Sequence, residues 1–393
     1  MKEEAKREKR SKTGQKGKGI FAFFVLFCLF CFPIIVCGFQ DAQARRHFEQ
    51  AQEASRSGDF EKAEKEYLAF IKLAPGSAEA YSNLGVIYSR QSRFDEAIKF
   101  YEKALQLNPS LTPIYLNLGI VYYRAENFAA AIAPLEKFLS ASPDNYQATL
   151  LAGLSYARAE KYGQAAPHLE KALAAKPDDI PTQFALAKVY LKIDRAGEAL
   201  KILERLITEN PQSAEVHLLL GHARLGGAEY EAAIEHFNRA SQLNPQLPAL
   251  HYGLATAYHK QGRNDRAIDE CRKELQLNPQ DAEANWLLGS LLELRSEFDE
   301  AGKHLQMAVK QRPDFASAWY LLGKVAFRQN RLAEAEKHVA RSLELDAEQE
   351  GAHFLLGQIY QRQGKRSQAQ TQFDEVKKIQ ERKRAKEGES IKK

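Results

Sequence analysis

Small and apolar residues recur along this chain with a period of 34. Alanine stands at Ala63, Ala97, Ala131, Ala165, Ala199, Ala233, Ala267, Ala301, Ala335 and Ala369, with no insertion or deletion between copies. One small unit used ten times in fixed register marks a stacked array. Counted from nineteen residues before each alanine, the units are ten windows running from 44–77 to 350–383, each with places 1 to 34. Place 7 is usually leucine, as in Leu84, Leu118, Leu220 and Leu322, and place 11 is often tyrosine, as in Tyr88, Tyr122 and Tyr360. Apolar residues three and four positions apart share one helical face. A second such series occupies places 20, 24, 27 and 28, as in Ala97, Tyr101, Ala104 and Leu105. Each window therefore predicts two amphipathic helices.

Place 8 is glycine or alanine throughout, from Ala51 and Gly85 to Gly357, which predicts a close approach of two backbones. Ser57-Gly58-Asp59, Gln261-Gly262-Arg263 and Gln363-Gly364-Lys365 give turn signals between the paired helices. Proline recurs at place 32 from Pro75 to Pro313. It lacks an N–H and disfavours helix at the preceding residue, so it ends each second helix. The ninth window carries Ala347 there, and a less sharply set boundary is expected.

The segments Tyr81-Ser82-Asn83-Leu84-Gly85-Val86-Ile87-Tyr88, Phe94-Asp95-Glu96-Ala97, Tyr101-Glu102-Lys103-Ala104-Leu105 and Asn108-Pro109 resemble the tetratricopeptide repeat, or TPR. The resemblance covers all ten windows, with departures at Gln50, Phe70 and Arg366 in the terminal windows, where repeats act as caps. It implies an all-α fold, a right-handed α-α superhelix (solenoid) of ten helix-turn-helix TPR units. It also implies that the first helix of each pair lines a concave side that binds partners.

Charge refines the organisation. Net charge is +5, and residues 1–19 hold eight Lys or Arg against three Glu, as do residues 376–393, which leaves 20–375 at −5 (5 − 5 − 5). The basic excess thus lies in the tails, and no nucleic-acid-binding face is indicated. Residues 1–19 read as a basic cytoplasmic n-region, 44–383 as ten repeats and 384–393 as a basic disordered tail. Residues 20–39 carry no charge and read either as a transmembrane helix or as the h-region of a signal peptide. Ala42-Gln43-Ala44 fits a signal-peptidase site, with cleavage near Ala44, whereas the length of the apolar run favours an uncleaved anchor contacting the membrane. The basic residues before the run orient the N-terminus toward the cytoplasm, so either reading puts the repeats outside it.

Chemistry is sparse. Neither a phosphate-binding glycine loop, a metal-spaced Cys/His pattern nor a nucleophile elbow occurs outside the repeat consensus, so no catalytic residue, metal site or cofactor is expected. His217, His251 and His353 share place 4 with Tyr81, Tyr115 and Trp319 and read as packing residues with a hydrogen bond. His222 and His259 face the expected groove, and Cys271 at place 24 reads as core.

The informative surface is a pair of rows on the first helices. Place 5 carries Leu116, Leu150, Phe184, Tyr252, Trp286, Tyr320 and Phe354, turning aromatic toward the C-terminus. Place 13 carries Arg90, Arg124, Arg158, Lys192, Lys260, Arg328 and Arg362. An apolar row beside a basic row suits an extended peptide offering hydrophobic side chains and carboxylates. The expectation is a noncatalytic protein-interaction scaffold, with Trp286 as the main anchor. By family analogy it would support assembly of an envelope or secretion complex. A carbohydrate-binding or polysaccharide-export scaffold and a regulatory TPR arm of an enzyme complex are the alternatives.

Overall fold

A computed structural model describes residues 41–390, which contain twenty helices and no strand. The 20–39 segment expected to be an anchor or signal lies outside the described residues, as does the basic run before it. Among the described residues no helix is long and apolar enough to cross a membrane. Two compact units divide between Ala185 and Leu186.

In the first unit the helices are α1 (41–57), α2 (Phe60–Leu73), α3 (Ala78–Arg90), α4 (Phe94–Leu107), α5 (Thr112–Arg124), α6 (Phe128–Ala141), α7 (Tyr146–Arg158) and α8 (Tyr162–Ala175). Helix α9 (Ile180–Lys192) contains the division. The second unit continues with α10 (Ala196–Glu209), α11 (Ala214–Gly226), α12 (Tyr230–Leu243), α13 (Leu250–Lys260), α14 (Asn264–Leu277) and α15 (Ala282–Leu294). It ends with α16 (Phe298–Gln311), α17 (Ala316–Arg328), α18 (Leu332–Leu345), α19 (Glu350–Arg362) and α20 (Arg366–Ser390).

Odd-numbered helices are the first of each pair. Successive first helices touch directly, α3 on α5 and α5 on α7 in one unit, α11 on α13 through to α17 on α19 in the other. No comparable contact joins successive second helices among the described residues, so the first helices form the inner layer of each unit.

The tight packing at place 8 differs in kind from the expected backbone contact. A Cβ added at Gly85 would lie 2.6 Å from the Tyr101 ring, and one at Gly221 would lie 2.5 Å from the Phe237 ring. The large side chain at place 24 seats on the bare backbone of the first helix. Where place 8 is Ala255, place 24 shrinks to Cys271, which is fully buried.

Place 15 closes the turn within each pair in a left-handed conformation, and only three copies use glycine there. Gly58, Gly262 and Gly364, at φ between 76° and 81°, are joined by Ser92, Glu126, Glu160, Asp194, Ala228, Ser296 and Asn330, at φ between 57° and 62°. Ser92, Asp194, Ser296 and Asn330 are ordinary turn residues, whereas Glu126, Glu160 and Ala228 carry no turn signal and take the left-handed conformation under modest strain. Ala228→Gly is expected to raise stability by about 0.5–1 kcal/mol, the relief of Cβ strain outweighing the greater freedom of unfolded glycine. A thermal melt that falls instead would refute this.

Side chains set the turns between pairs. Ser77, Asn145, Ser213 and Asp281 accept from backbone N–H groups in the first turns of α3, α7, α11 and α15. At six of the boundaries the side chain at place 4 binds the carbonyl at place 32 of the preceding window. Tyr115 Oη donates to the Pro109 carbonyl (3.2 Å), Asn285 Nδ2 to Pro279 (3.1 Å) and Trp319 Nε1 to Pro313 (3.0 Å). His217 Nε2 sits 3.3 Å from the Pro211 carbonyl and His353 Nε2 3.1 Å from that of Ala347. The ninth boundary is therefore as well defined as the others, and Asp346 strengthens it by accepting from the Glu348 N–H at 3.1 Å. At the C-terminus α20 continues to Ser390, so the 384–393 segment begins as helix rather than as a disordered tail. Glu381 stands at place 32, and the helix-favouring run Arg382, Lys383, Arg384, Ala385 and Lys386 follows it.

Candidate functional inner face

In the first unit the two rows behave differently. Leu116 and Leu150 are half-buried on α5 and α7, and Leu116 leans on the core beneath. Phe184 on α9 is also half-buried. Arg90, Arg124 and Arg158 are exposed, but each guanidinium covers the aromatic at place 17 of the preceding repeat. The distances are 5.9 Å to Phe60, 5.0 Å to Phe94 and 5.6 Å to Phe128. Arg124 also donates to the Ser89 carbonyl at 3.2 Å. Such contacts contribute about 0.5–1 kcal/mol each at exposed sites. The basic row of this unit thus clips one repeat to the next.

The second unit separates the aromatic row into buried and open members. Tyr252 and Trp286 pack against the core around Leu287, Leu288 and Leu291. Burial pushes the Tyr252 hydroxyl pKa up. The Trp286 ring centroid lies 5.6 Å from that of Phe315, and its buried Nε1 has no partner among the described residues. Trp286 is therefore half-buried against the core and Phe315 rather than standing clear as an anchor. Lys192 and Lys260 are exposed.

Tyr320, Phe354, Arg328 and Arg362 come together. With Lys324 and Phe327 they line a groove of about 560 Å³ between α17 and α19. Phe354 remains 49% exposed, and the Arg362 guanidinium lies 4.0 Å from the Phe327 centroid. Glycine at 351 makes room, since a Cβ there would approach the Tyr320 hydroxyl to 3.1 Å. Behind this wall the buried Glu293 carboxylate meets Lys324 Nζ at 2.8 Å and Arg328 Nε at 3.8 Å. The two rows read from the sequence omitted Glu293, Lys324 and Phe327. The signal available was the break at Glu293-Leu294, an acid and an apolar residue where place 13 is normally basic.

Titratable groups elsewhere are absorbed by packing. His222 sits edge-on to Phe237, and burial with Lys192 nearby holds its pKa down to about 4. His259 Nδ1 pairs with Asn264 Oδ1 at 3.0 Å. Burial pushes the Cys271 thiol pKa up to about 12. Among the described residues no three His, Cys, Asp or Glu side chains cluster as metal ligands.

Sequence models described as tetratricopeptide repeat match residues 78–111, 116–180, 156–223, 252–314, 297–350 and 351–383, and one described as TPR repeat matches 229–262. The chain belongs to the tetratricopeptide repeat family. A comparison with curated proteins finds no match. Among solved structures, MamA from Desulfovibrio magneticus RS-1 (residues 41 to the end) is 23% identical. The alignment covers 43% of this chain and 95% of that one, with a TM-score of 0.41. YrrB, titled a TPR protein with an unusual peptide-binding site, is 22% identical over 45% of this chain and 92% of that one, with a TM-score of 0.41. Yeast Tom70 is 16% identical over 86% of this chain and 92% of that one, with a TM-score of 0.40.

Proposed function

We propose that this chain is a noncatalytic scaffold that binds an extended peptide of a partner protein along the inner face of its second unit. The observation that carries this reading is the open groove between α17 and α19. There an exposed aromatic, Phe354, stands beside a guanidinium held in place by Phe327. An apolar side chain enters against Tyr320 and Phe354, and a carboxylate meets Arg362. Flanking repeats add weaker contacts in the same segment, so affinity accumulates along the peptide.

The scaffold is further proposed to work outside the cytoplasm, anchored through residues 20–39 or released after cleavage near Ala44, in assembly of an envelope or secretion complex. The charge asymmetry around residues 20–39 supports this. In a bacterial host, alkaline phosphatase fused after Lys393 is expected to be active and a fluorescent protein fused there to be dark. Bright fluorescence without phosphatase activity would reverse the assignment.

Crosslinking in whole cells, purification of the full chain and mass spectrometry test the scaffold reading. A partner protein is expected whose crosslinks fall on α17 and α19. Crosslinks confined to the second helices of the pairs, or binding only on a glycan array, would overturn it.

A further inference from the structure

Glu293 is the only acidic residue at place 12 of the ten windows, and Leu294 replaces the Lys or Arg that eight of the ten carry at place 13. The Glu293 side chain is 5% exposed. A carboxylate so buried is costly unless paired. Its partners are the two cations that the next first helix presents to the groove, Lys324 at 2.8 Å and Arg328 at 3.8 Å. Lys324 is thereby engaged from behind, and the charge of Arg328 is partly offset. Arg362 differs. Stacked on Phe327, it has no carboxylate within ion-pair distance among the described residues, and the edge of its guanidinium stays available to donate.

We propose that Glu293 sets the charge preference of this groove, which takes an apolar peptide segment bearing one carboxylate and discriminates against segments bearing several. The inference rests on the peptide-groove reading and narrows it. One ligand carboxylate beside an apolar side chain pairs with Arg362. A further carboxylate reaching Lys324 competes with Glu293 for the same ammonium and brings two like charges into a partly desolvated site. Glu293 acts through the two cations, so it is a specificity-determining residue that does not itself touch the ligand.

Fluorescence anisotropy on the full chain tests this with two labelled peptides of equal length and the same leucine and phenylalanine background, one with a single aspartate and one with three. Wild type is expected to favour the single-aspartate peptide. Glu293→Gln is expected to tighten the three-aspartate peptide roughly tenfold while changing the other less than about twofold, an effect that shrinks with added salt. Adding Lys324→Met to Glu293→Gln removes the released ammonium and is expected to restore most of the original preference. That outcome separates charge from a mere loss of packing, and a thermal melt checks that each variant folds. Equal effects of Glu293→Gln on both peptides, or none, would overturn the role of Glu293 and leave the peptide groove standing. Failure of wild type to bind either peptide, while crosslinks still fall on α17 and α19, would overturn the proposed charge preference alone. Failure together with no partner crosslinked there would remove the groove reading too.

Discussion

Replacing Gly221 with Leu is expected to destabilise the second unit by about 2–3 kcal/mol, the upper part of the range for overpacking a well-filled core. Any side chain there starts from a Cβ 2.5 Å from the Phe237 ring, and Phe237 is fully buried. The ring has nowhere to go. On its other side a Cβ at Gly253 would already stand 2.8 Å away, so the ring is clasped between the bare backbones of α11 and α13. A stacked array couples chiefly to nearest neighbours. Hydrogen exchange should therefore quicken in α11 to α14 and change little in α17 to α20. Shrinking the ring as well, with Phe237→Leu, should recover part of the loss. A neutral Gly221→Leu would show that place 8 is small for some reason other than this contact.

The same pair of residues shows what the sequence makes legible. The period of 34, the helix pairs and the core faces follow from spacing alone, because every copy solves one packing problem and ten copies repeat the answer. Place 8 was legible as a close contact, but its partner was not, since periodicity within a window does not say which residue of the second helix lies opposite. The left-handed residues at place 15 were hidden for a different reason. Glutamate and alanine carry no turn signal of their own, and only the geometry between two packed helices forces them to φ near 60°.

The groove was legible as rows but not as a site. Places 5 and 13 hold Phe354 and Arg362, which line one groove, yet they give Trp286 and Arg124 the same standing. The difference lies in what each side chain touches, which the place numbers do not give. Arg124 and Arg362 both stack on the preceding repeat, but Arg124 also spends a donor on the Ser89 carbonyl, and Phe315 helps cover Trp286. Glu293 is a contact between windows of the same kind, with a charge it shares with α17 that no single window reveals.

Partner capture is expected to fall at least about 100-fold when Phe354→Ala and Arg362→Ala are combined, the loss of two interface hot spots. Both side chains are exposed, Phe354 at 49%, so their removal takes little from the core and the helical signal should stay near that of wild type. The cost to the fold is chiefly the Arg362 stack on Phe327 and the Phe354 ring contact with Phe373, whose centroids lie 5.8 Å apart, each worth about 0.5–1.5 kcal/mol. Trp286→Ala makes the contrasting variant. It empties a half-buried site packed on Phe315 and the core, so it should lower the melting temperature and weaken capture only through lost folded protein. Changing Leu116 and Leu150 together in the first unit should affect capture less than the Phe354 and Arg362 pair, because those side chains are half-buried and no exposed aromatic stands beside them in the place-5 row. Titration of the captured partner against each variant, at equal concentrations of folded chain, separates these cases. Unchanged affinity in the Phe354 and Arg362 double variant would mean that the inner face of the ninth and tenth repeats is not the binding surface. The basic length of α20, with Lys377 and Arg384 exposed, would then be the next surface to mutate.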